Sequence, residues 1–422
     1  MNITIIGGND GSHVLAQLLL EDHSVNKIYH HGANWPADAT ERYVPLYIDE
    51  VNNSSSAKDQ VINFLNIPDV DLIIPNALQY IIWPKFYDKI KSRNIPILAP
   101  SPEIGMLEWS KILGKALLTE LKIPTPDYKI YNRHDLLENF FNIERPFVFK
   151  YDRDDRCGLQ TVIVTDENCQ EEYTQLKENG NKRLFETQNS TLGPLNETNF
   201  VVEKFLKSSR EYSYHVICNS VNWQYLGSSR DYKNRFDGDI GFNTVGIGAY
   251  APLDVNPIVH TYVDKILSHL KAKGKEWIGF MYLGIMEDVN GVPYVLEINT
   301  RLGNPELQVL LPLIENNLKD LFYSAATNNI IEPVRFKNKS AVAVRLIHKS
   351  YHQVKPYEGL INPTFDDAPE IYIGIPASRQ LFNASVVAVD DTVELASNRV
   401  YKYLEGIEMH DFTYRKDIGY LK

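Results

Sequence analysis

The run from Tyr282 to Arg301 constrains this chain more than any other stretch. Tyr282-Leu283-Gly284-Ile285-Met286 and Val292-Pro293-Tyr294-Val295-Leu296 flank Asp288-Val289-Asn290-Gly291 and read as a β-hairpin. Glu297-Ile298-Asn299-Thr300-Arg301 closes it, and Gly303-Asn304-Pro305-Glu306 forces a turn directly afterwards. Residues two apart in a strand point the same way. Glu297, Asn299 and Arg301 are therefore expected on one face, with Leu296 and Ile298 on the buried one. A carboxylate and an amide oxygen suit a hard cation that bridges protein to phosphates. An arginine beside them can take up charge on a transferring phosphoryl group. The plain alternative is an exposed strand edge with alternating polar residues. The pattern favours a site that uses ATP.

With 422 residues the chain exceeds one ordinary core, which predicts about two to four domains. A hydrophobic share of 44% and a charged share of 23% suit a globular protein. The net charge of -11 excludes non-specific binding to nucleic acid, which needs a basic footprint. Cys157, Cys169 and Cys218 are an odd count without metal spacing, which argues against a disulfide framework. Met1-Asn2-Ile3-Thr4-Ile5-Ile6-Gly7-Gly8 carries no cationic leader, and no apolar run approaches the ~18 residues of a membrane span. The expectation is a cytoplasmic protein, monomer or homodimer, with no nucleic-acid or membrane partner.

Strand and helix alternate at the start of the chain. Asn2–Ile6 runs into Gly7-Gly8-Asn9-Asp10-Gly11 and then a helical stripe of Val14, Leu15, Leu18 and Leu19. Further strands are expected at Lys27–His31, Asp71–Pro75 and Ile95–Ala99, with a helix near Trp83–Ser92, giving a small parallel sheet. Its Gly-rich turn lacks the full dinucleotide fingerprint. After Pro100-Ser101-Pro102, a helix carries Lys111 and Lys115 on one face. Phe147-Val148-Phe149-Lys150 is a strand ending in lysine, followed by the polar loop Tyr151–Gln160 and the strand Thr161–Val164. Asn179–Thr198 reads as a loop, and Asn199–Leu206 and Glu211–Cys218 read as strands. From about Ser340, short strands surround a helix near Thr392–Leu404.

Val201-Val202-Glu203-Lys204-Phe205-Leu206 is an apolar strand broken by an acid. Its backbone can meet a purine edge while Phe205 and Leu206 bury its faces. Glu211, five residues on, is in reach of ribose hydroxyls. Alone this is a surface strand, and Lys111 and Lys150 alone are solvated lysines. Together with Glu297 and Asn299 they form a set that can hold a triphosphate. Cys157 has no His or acid beside it and reads as an incidental thiol. His30-His31 lacks a neighbouring ligand at metal spacing and reads as structural, and Glu287 joins Glu297 only if the hairpin register allows.

Ser110-Lys111…Lys115, Ile123-Pro124-Thr125, Phe147–Lys150, Glu203–Leu206 and Glu297–Arg301, in that order, resemble the ATP-grasp fold. Four stretches narrow the resemblance to the phosphoribosylamine–glycine ligase family: Asp231–Arg235, Gly238–Tyr250, Arg301–Glu306 and Tyr414–Gly419. The resemblance spans essentially the whole chain and implies an α/β architecture. Residues 1–100 would be a parallel-sheet domain and 101–330 the ATP-grasp body, with 125–205 covering ATP. Residues 331–422 would form a small mixed domain. It implies ATP and Mg²⁺ (or Mn²⁺) as cofactors, with Lys111 and Lys150 on the phosphates. Glu203 and the Phe205 backbone would hold adenine, Glu211 the ribose, and Glu297 and Asn299 the metal. Arg301 would serve the transferring phosphoryl, and Lys233, Asp239, Asn243 and Thr244 would line the site where the acid is activated. Such enzymes phosphorylate a carboxylic acid, here an amino acid by expectation, and let an amine displace the phosphate.

Three departures stand out. The family's glycine-rich phosphate loop with its lysine reads Tyr151–Gln160, with Arg153 or Arg156 as replacement cations. The family's Gly-Gly-Arg-Glu-His turn reads Asp10-Gly11-Ser12-His13, and its Gly-Pro-Glu reads Pro75-Asn76-Ala77. Asp10 would face the phosphate of phosphoribosylamine, and two such charges about 4 Å apart repel by roughly 4 kcal/mol at an effective dielectric of 20. A divergent amine or acid is therefore expected. The alternatives are an authentic phosphoribosylamine–glycine ligase and a non-catalytic nucleotide-binding homologue.

Overall fold

The computed structural model describes residues 1–31, 40–46, 67, 69–152, 161–179, 199–349, 368–375, 382–409 and 411–420. Strands β1 (Asn2–Ile6), β2 (Lys27–His31), β3 (Tyr43–Leu46) and β4 (Leu72–Pro75) form a parallel sheet in the order β3-β2-β1-β4. Parallel sheets are covered on both faces, which explains why Ile3, Ile5, Ile6, Leu72, Ile73 and Ile74 are all buried. Helix α1 (Asp10–Leu20) makes the first crossover, capped by Asn9, whose Oδ1 accepts from Ser12 N at 2.7 Å. Helix α2 (Pro84–Ser92) packs Phe86 and Ile90 against Ile6 and Ile73. The strand expected at Ile95–Ala99 is reduced to a single parallel bridge between Ile97 and Ile73.

Helices α3 (Pro102–Trp109) and α4 (Lys111–Glu120) meet at Ser110, which ends one and caps the other. A second sheet follows, built from β5 (Tyr128–Asn132), β6 (Phe147–Tyr151), β7 (Thr161–Val164) and β8 (Asn199–Lys204) in the order β5-β8-β6-β7, all antiparallel. It has its own aromatic core of Phe140, Phe147, Phe149 and Phe200. Strand β8 ends at Lys204, so Phe205 lies beyond it and is exposed rather than burying a strand face. A helix at Cys169–Asn179, not expected from the sequence, precedes it. Cys157, Arg153 and Arg156 lie outside the described residues, as does the loop expected after Asn179.

The third sheet has nine strands: β9 (Ser208–Cys218), β10 (Trp223–Asp231), β13 (Gly248–Ala251), β14 (Gly279–Asp288), β15 (Pro293–Asn299), β16 (Ser340–His348), β17 (Ile371–Gly374), β18 (Phe382–Asp390) and β19 (Phe412–Thr413). Their order is β15-β14-β9-β10-β13-β16-β18-β17, with β19 on β16. The carboxy-terminal strands thus continue the sheet that carries Glu297. A separate hairpin, β11 (Asn234–Phe236) and β12 (Ile240–Asn243), stands between β10 and β13. Helices α4 and α5 (Ile258–Ala272) cover one face through Leu117, Leu118, Val259, Val263 and Ile266, which pack on Leu283, Ile285, Val295 and Ile298. Among the described residues no helix is long and apolar enough to cross a membrane.

Candidate active site

Strand β15 is the sheet's edge, and its register fixes which side chains face the helices. Leu283 pairs with Ile298 and Ile285 with Val295, all in the core, while Tyr282 pairs with Asn299 and Gly284 with Glu297. Glu297 and Asn299 thus share a face, as the alternation implied. Asn299 Nδ2 donates to Glu297 Oε1 at 3.2 Å, and Lys111 Nζ lies 3.0 Å from Glu297 Oε2. Burial alone would raise the Glu297 carboxyl, but Lys111, then Lys233 and Lys150, hold it well below the usual carboxylate range. The carboxylate is therefore ionised at neutral pH. Glu287 falls on the other face, where Tyr212 Oη donates to it at 3.0 Å, so the register rules it out beside Glu297.

Lys111 opens α4. Ser110 Oγ accepts from Leu113 N at 3.2 Å and donates to Asp152 Oδ1 at 2.8 Å, while the same Oδ1 accepts from Ile112 N at 2.9 Å. Asp152 directly follows β6, so this cap ties the helix bearing Lys111 to the strand bearing Lys150. Gly114 is required here, because a Cβ would lie 2.9 Å from Leu107 O where α3 and α4 meet.

Behind Lys150 stands a pair of ions sharing one acid. Lys115 Nζ and Lys150 Nζ lie 2.9 and 3.0 Å from the same Glu203 Oε1, and Lys115 also donates to Thr125 Oγ1 at 2.6 Å. Glu203 faces Val148 across β6 and β8, diagonally opposite Lys150, which is why the two meet. Burial opposes the Glu203 charge, but Lys150 and then Lys115 lower its carboxyl overall. Burial pulls Lys115 down to about 8, against the attraction of Glu203. Glu203, expected to hold adenine, has its carboxylate between two lysines and is only 3% exposed. Lys111, Lys115 and Lys150 against Glu203 and Glu297 leave one net positive charge for an anion to meet.

Arg301 lies past the end of β15. Its Nε is 3.0 Å from Glu108 Oε1, and Nη1 donates to Leu302 O at 3.1 Å. Glu108, fully buried on α3, also accepts from Thr300 N at 2.7 Å and Thr300 Oγ1 at 3.0 Å. Sequence reasoning missed Glu108; an acid in the buried part of a helix that precedes Ser110-Lys111 was the available signal.

Lys233 and Glu211, assigned to the acid and ribose sites respectively, meet each other at 2.9 Å, with Asp231 3.7 Å from the same amine. Burial works against the Lys233 charge, yet Asp231 and Glu211 carry it well above the usual range. Thr244 is buried, and its Oγ1 and N bind Lys233 O at 2.8 and 2.6 Å, which fixes the backbone of that lysine. Asp239 and Asn243 sit on the β11–β12 hairpin. Asp239, at φ 57°, contacts Arg415 at 2.9 Å and Arg230 at 3.1 Å. Arg415, 1% exposed, also holds Asp417 at 2.6 Å and Asn234 O at 2.9 Å, while Gly238 N donates to Asp417 at 2.8 Å. The Tyr414–Gly419 stretch, given no role from sequence, thereby clamps this turn.

Asp10 requires a correction. Its carboxylate is fully buried and gripped by Arg345 at two atoms, Nε to Oδ2 at 2.9 Å and Nη2 to Oδ1 at 2.8 Å, with Asn304 Nδ2 at 3.0 Å. Burial would raise its carboxyl, but Arg345 and its hydrogen bonds hold it down. The charge expected to repel a substrate phosphate is already paired inside the protein, so that repulsion does not apply. His30 is structural, its ring nitrogens lying 2.8 Å from Tyr43 Oη and 2.8 Å from Gly7 O.

Comparisons with known proteins point to the ATP-grasp fold and to one group of relatives. Residues 109–307 match the family model described as Phosphoribosylglycinamide synthetase, ATP-grasp (A) domain. A phosphoribosylamine–glycine ligase of Leptospira interrogans is 29% identical over 380 residues, covering 86% of both chains. One of Fusobacterium nucleatum is 25% identical over 447 residues, covering 100% of this chain and 99% of its own. The crystal structure of a Thermotoga maritima phosphoribosylamine–glycine ligase superposes with TM-score 0.76 at 22% identity, covering 99% of this chain and 100% of that one. A Campylobacter jejuni biotin carboxylase gives 0.72 at 15% identity, covering 99% and 94%, a likeness of fold.

Proposed function

We propose, from the premise that this chain is an ATP-dependent carbon–nitrogen ligase of the ATP-grasp fold resembling phosphoribosylamine–glycine ligase, that it joins an amino acid to an amine through an acyl phosphate. The observation that carries the reading is the linked buried charge set: Lys111 on Glu297, and Lys150 with Lys115 on Glu203. Lys111 and Lys150 meet the ATP phosphates, and Glu203 holds the two inner lysines in place. The ionised Glu297 and the Asn299 amide oxygen form a hard donor pair that fits Mg²⁺ or Mn²⁺. When bound, that ion neutralises phosphate charge. Arg301, steadied by Glu108, takes charge from the γ-phosphoryl as the acid's carboxylate attacks phosphorus and ADP leaves. The backbone after Glu203, with Phe205, serves adenine, and Glu211 a hydroxyl-bearing part of a substrate. Lys233, Asp239, Asn243 and Thr244 shape the acid site. The amine's nitrogen then attacks the acyl carbon and phosphate departs.

The first turn supports an amine without a phosphate. Asn9, Ser12 and Asn76 there are bonded to one another through neutral groups, and Arg345 binds Asp10 and Gly246 O. Phosphate sites use arginine, lysine or unsatisfied backbone amides, and with Arg345 engaged by Asp10 a phosphate at this turn would be left to the backbone of residues 8–11. The test is a matrix of amino acids and amines, phosphoribosylamine with glycine included, scored by ADP release and by the mass of the product. Acid- and amine-dependent ADP release with a matching amide is expected. No ADP release with any pair sinks the ligase reading, and efficient glycinamide ribonucleotide synthesis sinks the divergent-amine part alone.

A further inference from the structure

Beside the phosphate-binding set lies a second group of ionisable side chains, of which the steps above use only Lys233 and Glu211. Glu306, 4% exposed, opens the short helix Glu306–Leu310 just after the Arg301 turn. Its carboxyl folds back over Gly303: a Cβ on that glycine would lie 2.6 Å from the carboxyl carbon, so glycine makes the space. Tyr282, the cross-strand partner of Asn299, acts on the Glu306 carboxyl and lowers it slightly. His215 stacks on Tyr282 at 4.5 Å and accepts from Gly303 N at 3.3 Å. Asp231 and Lys233 come from the end of β10 and the turn after it, with Glu211 of β9 on the same lysine. The group therefore shares the face of the sheet that displays Glu297 and Asn299, but contacts neither through Glu306.

We propose that Glu306, acting with Asp231, is the catalytic base that takes the proton from the attacking amine. This rests on the acyl-phosphate reading above. An ammonium substrate has no lone pair until it loses one proton, which passes to a Glu306 oxygen. The nitrogen pair then forms the C–N bond, the C–O bond to phosphorus breaks, and the leaving phosphate takes that pair. The second nitrogen proton leaves as the intermediate collapses, and phosphate carries it away.

The surroundings suit the task. Burial, and then the Asp231 charge, push the Glu306 carboxyl up to about 7, with Tyr282 pulling slightly the other way. Asp231 is raised too, by its own burial. His215 is held down to about 3 by burial and by the Arg301 charge, so it stays neutral and does not compete. Lys233 stays protonated. Among these groups, Glu306 is the one held near neutrality.

The test separates the two halves of the reaction. Hydroxylamine, nucleophilic without a base, traps an acyl phosphate as a hydroxamate and reports its formation. Glu306→Gln is expected to lower amide formation about 100-fold or more, the usual scale of base catalysis, with hydroxamate formation changed less than about threefold. The amine's own titration is common to both proteins, so the acid limb near pH 7 is expected in the wild type and absent from the variant. Glu306→Asp is expected to restore part of the rate. Tyr282→Phe, which removes the hydroxyl that lowers the Glu306 carboxyl, is expected to move the limb upward. Equal loss of amide and hydroxamate, undiminished amide formation in Glu306→Gln, or an unmoved limb in Tyr282→Phe overturns the proposal. A wild type that makes no acid-dependent hydroxamate overturns the acyl-phosphate reading itself, and the proposal with it.

Discussion

At the scale of single residues, the site works because each charge has a partner that keeps it ionised and aimed. Glu108 is the sharpest case. Its carboxylate is fully buried and holds both Arg301 and the Thr300 backbone. Glu108→Gln keeps the volume but removes the charge. Hydrogen bonds to charged groups contribute about 1.5–3 kcal/mol, so kcat is expected to fall by about tenfold or more with little change in the ATP KM. Steady-state kinetics decide it, and an unchanged kcat would show that Arg301 is aimed by other contacts. Strand alternation was enough to bring Glu297 and Asn299 together, and hydropathy was enough to place Lys150 near the end of a strand that runs one residue further, to Tyr151. It was not enough for Glu108 and Thr300, which are 192 residues apart, because pairing across helices leaves no local period. The same limit hid the acid shared by Lys115 and Lys150.

At the scale of elements, turns here are set by side chains brought from elsewhere. The β11–β12 hairpin holds Asp239 and Gly238 at positive φ, 57° and 76°, and so needs support from outside. Arg415 supplies it through Asp239, Asp417 and Asn234 O, and its guanidinium lies 4.8 Å from the centre of the Tyr232 ring. Arg415→Lys keeps the charge but loses the planar fork. Breaking one partner of a buried pair costs about 3–5 kcal/mol; with lysine retaining one contact, roughly half that loss is expected in urea unfolding. The hairpin is also expected to become the first site of proteolysis. A midpoint and cleavage pattern matching the wild type would remove Arg415 from this role. The hairpin's strands are only three and four residues long, too short for a period to show, and this is why the sequence named its residues only through resemblance. Longer elements, such as β9 and α1, were legible because their apolar faces repeat, whereas the nine-residue β16, buried on both faces, was read only as one of several short strands.

At the scale of the whole molecule, one nine-stranded sheet joins the Glu297 edge to the carboxy-terminal strands, and the buried Glu306 contributes to its stability in a pH-dependent way. The folded value, about 7, lies above the ordinary 4.5. Between these limits the folded chain keeps a proton that the unfolded chain releases, so folding loses stability as pH rises through that window. Glu306→Gln has no such proton. Its melting temperature relative to the wild type is therefore expected to climb from pH 5 to pH 8, measured by calorimetry, and a constant difference would contradict the raised value. The contact between Asp10 and Arg345 has a consequence in the terms of inheritance. The two residues stand 335 positions apart, one at the start of helix α1 and the other on strand β16, and each is the other's countercharge in the protein interior. Losing either alone leaves a lone buried ion, at a cost of about 3–5 kcal/mol from a total stability of about 5–15 kcal/mol. A gene encoding this fold can therefore rewrite the codon for Asp10 only in step with the codon for Arg345. The first turn and the late strand descend together, as a single heritable character.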